Sequence, residues 1–178
     1  MILARVSLFM DEIVKEFMLT GELKFLEIGM HRYQILQHIP ELWRFATRKS
    51  RGTSDFLLGS LDLHFRRPYL ASIRIYFGAE KSVLPAEIYE PRIIQNCPAT
   101  LSQFISYLED EGIAYTKGFE DEELIELALG NGVWVKFWDG TLSHIRRNPT
   151  EAEAIEIGDR IQNIVDGKAS GRFENETN

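Results

Sequence analysis

The sequence predicts an α+β protein made of two tandem helix-plus-antiparallel-sheet units packed together, with one helix near the N-terminal end and another near the C-terminal end. Three observations carry this. Several segments repeat apolar residues at helical spacing, and others alternate apolar and polar residues with a period of two, the pattern of hairpins that bury one face. The order helix then strands occurs on both sides of a proline-containing stretch in the middle, so an internal duplication is the simplest description. The units are assigned to residues 1–89 and 90–167, and the polar segment 168–178 is expected to be a disordered tail.

In the first unit, Phe9, Ile13 and Phe17 recur at spacing four, with Leu8, Met10, Val14 and Met18 widening the stripe, so Ser7 to Thr20 is expected to be a helix ended by Gly21. Leu23 to Ile28 has extended character, and Gly29 separates it from a short helical segment, His31 to Ile39, closed by Pro40. Ile35, Leu36 and Ile39 give that segment its buried side. Trp43 to Ser54 is polar and basic, with Arg44, Arg48, Lys49 and Arg51 and no sustained period; a mobile loop is expected there. The clearest strands follow. Leu61, Leu63 and Phe65 alternate with Asp62, His64 and Arg66, Arg67-Pro68 turns the chain, and Ile73, Ile75 and Phe77 alternate with Arg74 and Tyr76. Residues 78–98, with Pro85, Pro91 and Pro98, have the composition of a connection.

The second unit is better punctuated. Thr100 with Gln103 forms a capping box ahead of Leu101, Phe104, Ile105 and Leu108, and Gly112 ends that helix. Ile113 to Lys117 and Leu124 to Leu129 are expected strands on either side of an acidic turn, Glu120, Asp121, Glu122 and Glu123. Gly130-Asn131-Gly132 leads into Val133 to Trp138, and Asp139-Gly140 is a hairpin signal feeding Thr141 to Arg147. A last helix begins at Thr150 with a second capping box at Glu153, and runs along Ile157, Ile161, Ile164 and Val165 to Gly167. In the duplication, Gly59 to Phe65 occupies the place of Gly132 to Phe137.

Composition narrows function by exclusion. With 178 residues, 44% hydrophobic and 26% charged, the chain has the make-up of an ordinary globular protein, and no apolar run reaches the roughly 20 residues of a membrane span. Cys97 stands alone, so no internal disulfide is possible and a reducing, cytoplasmic location is expected. The net charge of −7 is uneven: residues 1–89 carry +2 and residues 90–178 carry −9. An acidic half of this kind repels nucleic acid and favours a basic protein partner. The cations of Arg44 to Arg51 lack the interleaved aromatics that stack on bases.

Catalytic and metal signatures are not found. The sequence contains no His-Glu-x-x-His, Cys-x-x-Cys, phosphate-loop or Gly-x-Ser-x-Gly spacing, so neither cofactor nor metal is expected. His31 and His38 lie two turns apart, too far to share an ion, and are expected to be capping or solvated groups. Gly130 and Gly132 precede a strand, whereas a dinucleotide fingerprint opens a helix. Asp62 and His64 point to one strand face, where a carboxylate can orient an imidazole; a small hydrolase or transferase using that pair is the alternative function. The simpler expectation is a polar patch with Arg74 and Tyr76, including a cross-strand Asp62–Arg74 pair. Trp134 and Trp138 fall on the strand side opposite Val133, Val135 and Phe137. They are expected to be covered by the last helix, and if uncovered to act as binding anchors.

Glu27-Ile28-Gly29-Met30 before a short helix, the strand Gly59-Ser60-Leu61-Asp62-Leu63-His64-Phe65, and Leu70-x-x-Ile73-x-Ile75-x-Phe77 together resemble a group of largely uncharacterised small bacterial proteins. Thr100 to Ile113 and Gly132 to Phe137 continue the resemblance. Two features depart from the group: only Pro40 closes the first short helix, and Leu58 stands where a tyrosine is usual. The units are similar to those of the SmpA/OmlA and β-lactamase-inhibitor-protein fold, whose members bind proteins on the sheet, and some such proteins are immunity factors for toxins. The resemblance implies binding to another protein, as an immunity or inhibitor protein does; with the duplicated helix-sheet plan, the acidic second half and the missing catalytic motifs, a non-catalytic module that neutralises a basic toxin domain is expected. Its partner-binding residues would be Asp62, His64, Arg74 and Tyr76, the acidic turn Glu120 to Glu123, and Trp134 and Trp138. A third possibility is a structural protein whose sheet edge pairs with itself.

Overall fold

Alternation in the sequence becomes, in the computed structural model, a single eight-stranded antiparallel sheet backed by helices; the structure describes residues 12–50, 52–77 and 100–167. The first half contributes α1 (Glu12–Thr20), α2 (Arg32–His38), a 3-10 turn (Leu42–Phe45), and strands β1 (Ala46–Ser50), β2 (Thr53–Leu58), β3 (Leu61–Arg66) and β4 (Tyr69–Tyr76). The second contributes α3 (Leu101–Asp110), strands β5 (Thr116–Glu120), β6 (Leu124–Gly130), β7 (Val133–Trp138) and β8 (Thr141–Arg147), and α4 (Glu151–Val165). The fold is α+β, with helices toward both ends of the chain.

Each half is a four-stranded meander, and the two join edge to edge. The strand order is β1-β2-β3-β4-β8-β7-β6-β5, so the last strand of one meander pairs with the last strand of the other. The repeat extends to its irregularities. Between β3 and β4 the register slips after His64, where the ladder passes from Ser72 to Leu70; between β7 and β8 it slips after Lys136, passing from His144 to Leu142. This bulge matches Phe65 with Phe137 and the turn Gly59-Ser60 with Asn131-Gly132, one residue off a glycine-on-glycine match. Extra residues in paired strands bend the ladder, so equal bulges give the two meanders equal curvature there.

One face of the sheet forms the core. Phe56 and Leu58, Leu61, Leu63 and Phe65, Ile73 and Ile75, Leu127, Val133, Val135 and Phe137, and Leu142 and Ile145 are all buried on it. The first three helices are placed by contacts with this side: Val14 and Phe17 of α1 and Ile35 of α2 join the cluster, and Phe104 of α3 meets Phe137 edge-on at 5.4 Å. Arg160 of α4 instead lies 5.8 Å over Tyr69, which pairs with Arg66 and is buried apart from that cluster. The three capping boxes, on His31, Thr100 and Thr150, each have both reciprocal hydrogen bonds, which fixes where α2, α3 and α4 begin.

Four expectations are corrected. Trp43 to Ser54 is not a loop: it holds the 3-10 turn, β1 and the start of β2, with Lys49 opposite Ser54 and Ala46 opposite Phe56. Ser54 occupies a buried, core-facing place beside Phe56 and Leu58, and that small polar residue hides the period. Leu23 to Ile28 is not extended: Leu23 and Leu26 exchange backbone hydrogen bonds (3.3 and 3.0 Å) across a tight turn with Lys24 at φ 57°. β5 starts at Thr116, so Ile113 to Tyr115 is a connection and Glu120 ends a strand. Finally, α4 does not cover the tryptophans; it packs near Gly29 and Tyr69, with Ile157 and Tyr69 buried apart from the core cluster. Residues 1–11, the stretch 78–99 with Cys97, Arg51 and the tail 168–178 lie outside the described residues.

Candidate functional site

The reverse face of the sheet gathers most of the polar and aromatic residues singled out in the sequence, and α4 meets it at Tyr69, the register partner of Arg66. Register sets its rows. Leu57, Asp62, Arg74, Arg146, Trp134 and Ala128 line up across β2, β3, β4, β8, β7 and β6, and Tyr76, His144, Lys136 and Glu126 form a neighbouring row. Alternation puts them on the side away from Leu63, Ile75 and Val135.

Contacts tie the rows together. The Arg74 Nη1 lies 3.5 Å from the Asp62 carboxylate and donates to the Tyr76 hydroxyl at 2.6 Å, while its guanidinium sits 5.6 Å from the Tyr76 ring. The cross-strand pair expected from the sequence is therefore present. Tyr76 packs against His144 with ring centroids 5.5 Å apart. Arg146 bridges Glu126 at 3.2 and 3.4 Å and lies 6.0 Å over Trp134. Trp134 in turn lies across the backbone of β5: a Cβ on Gly118 would come within 2.6 Å of its ring. That glycine is the signal the sequence offered for the resting place of this indole. Trp138, four residues on, is 53% exposed.

The electrostatics follow from crowded cations. His144 is buried, and its pKa is pushed down to about 3 by that burial and by the charges of Arg74, Lys136 and Arg146, so its imidazole is neutral at neutral pH. Its Nε2, and the Nε of Arg74 and of Arg146, lack a hydrogen-bond partner among the described residues. Burial raises the Asp62 pKa, assisted by Asp55 and opposed by Arg74 and His64.

The Asp62–His64 pair of the alternative reading does not form. His64 Nδ1 contacts Asp55 of β2, its cross-strand neighbour, and Asp62 turns to Arg74. Ser72 stands opposite His64 on β4, which completes a serine, histidine and aspartate row across three strands. The Ser72 hydroxyl, however, donates to Asn148 Oδ1 at 3.3 Å, so the base is not on the nucleophile. Sequence spacing missed Asp55 and Ser72 because both partners come from neighbouring strands.

The acidic turn sits at the far end of the sheet and is partly self-satisfied. Asp121 accepts hydrogen bonds from the backbone of Glu123 and Leu124 (3.0 and 2.7 Å), and Glu120 pairs with Lys117 at 3.2 Å. Glu122 and Glu123 stay exposed. No group of three or more His, Cys, Asp or Glu able to hold a metal ion is found among the described residues, nor is any described helix long and apolar enough to cross a membrane.

Comparison with known proteins returned no matching family model, no matching curated protein and no matching solved structure.

Proposed function

We propose that this chain is a non-catalytic protein-binding module that engages its partner with the reverse face of the sheet, as an immunity or inhibitor protein does. The observation that carries the proposal is the continuous row from Asp62 and Arg74 through Arg146 and Trp134, spanning both halves on the face opposite the core. Its side chains are held in place by ion pairs and ring contacts before any partner arrives, which lowers the ordering cost of association. Exposed Trp138 supplies an aromatic anchor of the kind where binding energy concentrates.

Charge speaks to the partner. The face balances Arg74, Arg146 and Lys136 against Asp62, Asp55 and Glu126, whereas Glu122 and Glu123 stand exposed at the end of the sheet in a chain of net charge −7. A basic protein, such as a toxin domain, is drawn toward that acidic corner. The resemblance to sheet-binding inhibitor proteins supports the same reading.

The test is capture from a lysate of the source organism, identification of the retained protein, and reconstitution from purified components. The wild type is expected to form a stoichiometric complex at physiological salt that Trp138→Ala weakens at least about tenfold. Failure to retain any stable partner, or a complex indifferent to both Trp138→Ala and Arg146→Ala, overturns the proposal.

A further inference from the structure

Away from that face, between α2, the 3-10 turn and β2, a cavity of about 350 Å³ opens beside Pro68. Its body is apolar, formed by Leu36, Leu42 and Phe56, and two aromatic side chains, Tyr33 and Trp43, line it while remaining 66% and 64% exposed. One full charge lines it as well. Arg32 has no carboxylate partner among the described residues; its guanidinium rests 5.7 Å over Phe65, and its backbone N–H donates to the Pro68 carbonyl at 2.7 Å.

We infer that this cavity is a binding site for a small aromatic carboxylate, with the ring of the ligand between Tyr33 and Trp43 and its carboxylate on Arg32. The volume falls at the small end of ligand pockets, which suits a compact ring system rather than a large cofactor. A guanidinium with no resident anion matches a carboxylate in charge and in its forked donor geometry. The walls are held in advance. His31 Nδ1 accepts from the Tyr33 backbone N–H at 3.1 Å, and the two rings stack at 5.1 Å, so the capping box that starts α2 also sets the Tyr33 ring. Large exposed aromatics at the rim of an apolar cavity are otherwise a cost to solubility. This inference is independent of the partner-binding reading, because the cavity shares no residue with the row that carries it.

The probe is 2-naphthoate, with uncharged 2-naphthalenemethanol as its control, titrated into the full chain at neutral pH while the indole N–H resonances are followed by NMR. Expected are saturable shifts at the Trp43 indole, with Trp134 and Trp138 unmoved, and binding of the alcohol at least about tenfold weaker. Arg32→Leu should bring naphthoate down to the level of the alcohol, and Trp43→Ala, which alters an exposed side chain, should weaken both compounds. Unchanged circular dichroism shows that each variant is folded. Absence of a saturable Trp43 shift, equal binding of acid and alcohol, or unchanged naphthoate binding by folded Arg32→Leu overturns the inference.

Discussion

Arg74 and Arg146 face each other across the β4–β8 junction, and the bulge-based match of the two halves makes them the same residue of the repeat. The two meanders therefore join where like charge meets like charge, and each arginine is drawn back into its own half, Arg74 by Asp62 and Arg146 by Glu126. Directly opposed like charges in a ladder are unfavourable by a few tenths of a kcal/mol to about 1 kcal/mol. In a double-mutant cycle with Arg74→Ala and Arg146→Ala, the double variant should lose about 0.5 kcal/mol more than the two singles together, since each single already relieves the repulsion. Urea unfolding of the four proteins measures this, and a double variant milder than the sum would mean that the arginines support one another.

One residue beyond Arg146, at the end of β8, Arg147 closes the capping box of α4. Its Nη2 lies 2.7 and 2.8 Å from the two oxygens of Glu153, which also accepts from the Thr150 backbone and hydroxyl. Burial tends to raise the Glu153 pKa, but the Arg147 and Thr150 hydrogen bonds and the Arg147 charge outweigh it and leave the pKa lowered. A lowered carboxylate pKa contributes stability that is complete above the usual carboxylate range and is lost as pH falls through the folded value. Glu153→Ala should cost roughly 3 kcal/mol at pH 7, because it strands a buried cation. Denaturation at pH 7 should show this loss, and the gap from wild type should narrow when the pH is taken well below 4.5. A gap that holds constant down to strongly acidic pH removes the ion pair from the account.

His144 gives a second pH dependence, in a higher window. The folded pKa of about 3 lies below the ordinary 6.5, so on acidification the unfolded chain takes up a proton that the native state refuses, and stability falls between those values. Between pH 7.5 and 5 this amounts to about 2 kcal/mol for one fully coupled histidine, at roughly 1.4 kcal/mol per pKa unit. His144→Gln should lose that much less stability over the same interval. Equal losses in the two proteins would place the imidazole in contact with solvent.

Gly118 and Trp134 test the packing of the reverse face. Gly118 is on the edge strand β5, where alanine would ordinarily be tolerated or favourable, yet its Cβ would stand 2.6 Å from the indole. Gly118→Ala should destabilise by roughly 1–2 kcal/mol and shift the Trp134 emission, and adding Trp134→Ala should remove most of the extra cost. If Gly118→Ala is neutral in the wild-type background, the indole does not rest on β5.

How much of this was legible beforehand depended on whether a signal was local. Period-two alternation placed Leu63, Ile75 and Val135 in the core, where each is fully buried, and the Thr100 and Thr150 capping boxes marked the starts of two helices, because alternation and capping are properties of a few consecutive residues. Asp62 and Arg74 were also paired correctly from shared face and opposite charge, although the two-residue turn alone would set Asp62 opposite Ile73 and the bulge after His64 brings Arg74 into place. Where a buried serine replaced an apolar residue, at Ser54, the same logic missed a strand.

By itself the sequence determined the class of the fold, the order of its helices and of the strands from Leu61 onward, and which side of the central strands is oily. Only the tertiary structure decided that the two halves share one sheet through β4 and β8, that His64 takes Asp55 rather than Asp62, and that Trp134 rests on Gly118 while α4 packs elsewhere. The reason is physical. Side-chain period is written along the chain, but the choice of neighbour across strands is made by competition among distant segments for the same edge, the same counter-ion and the same patch of apolar surface.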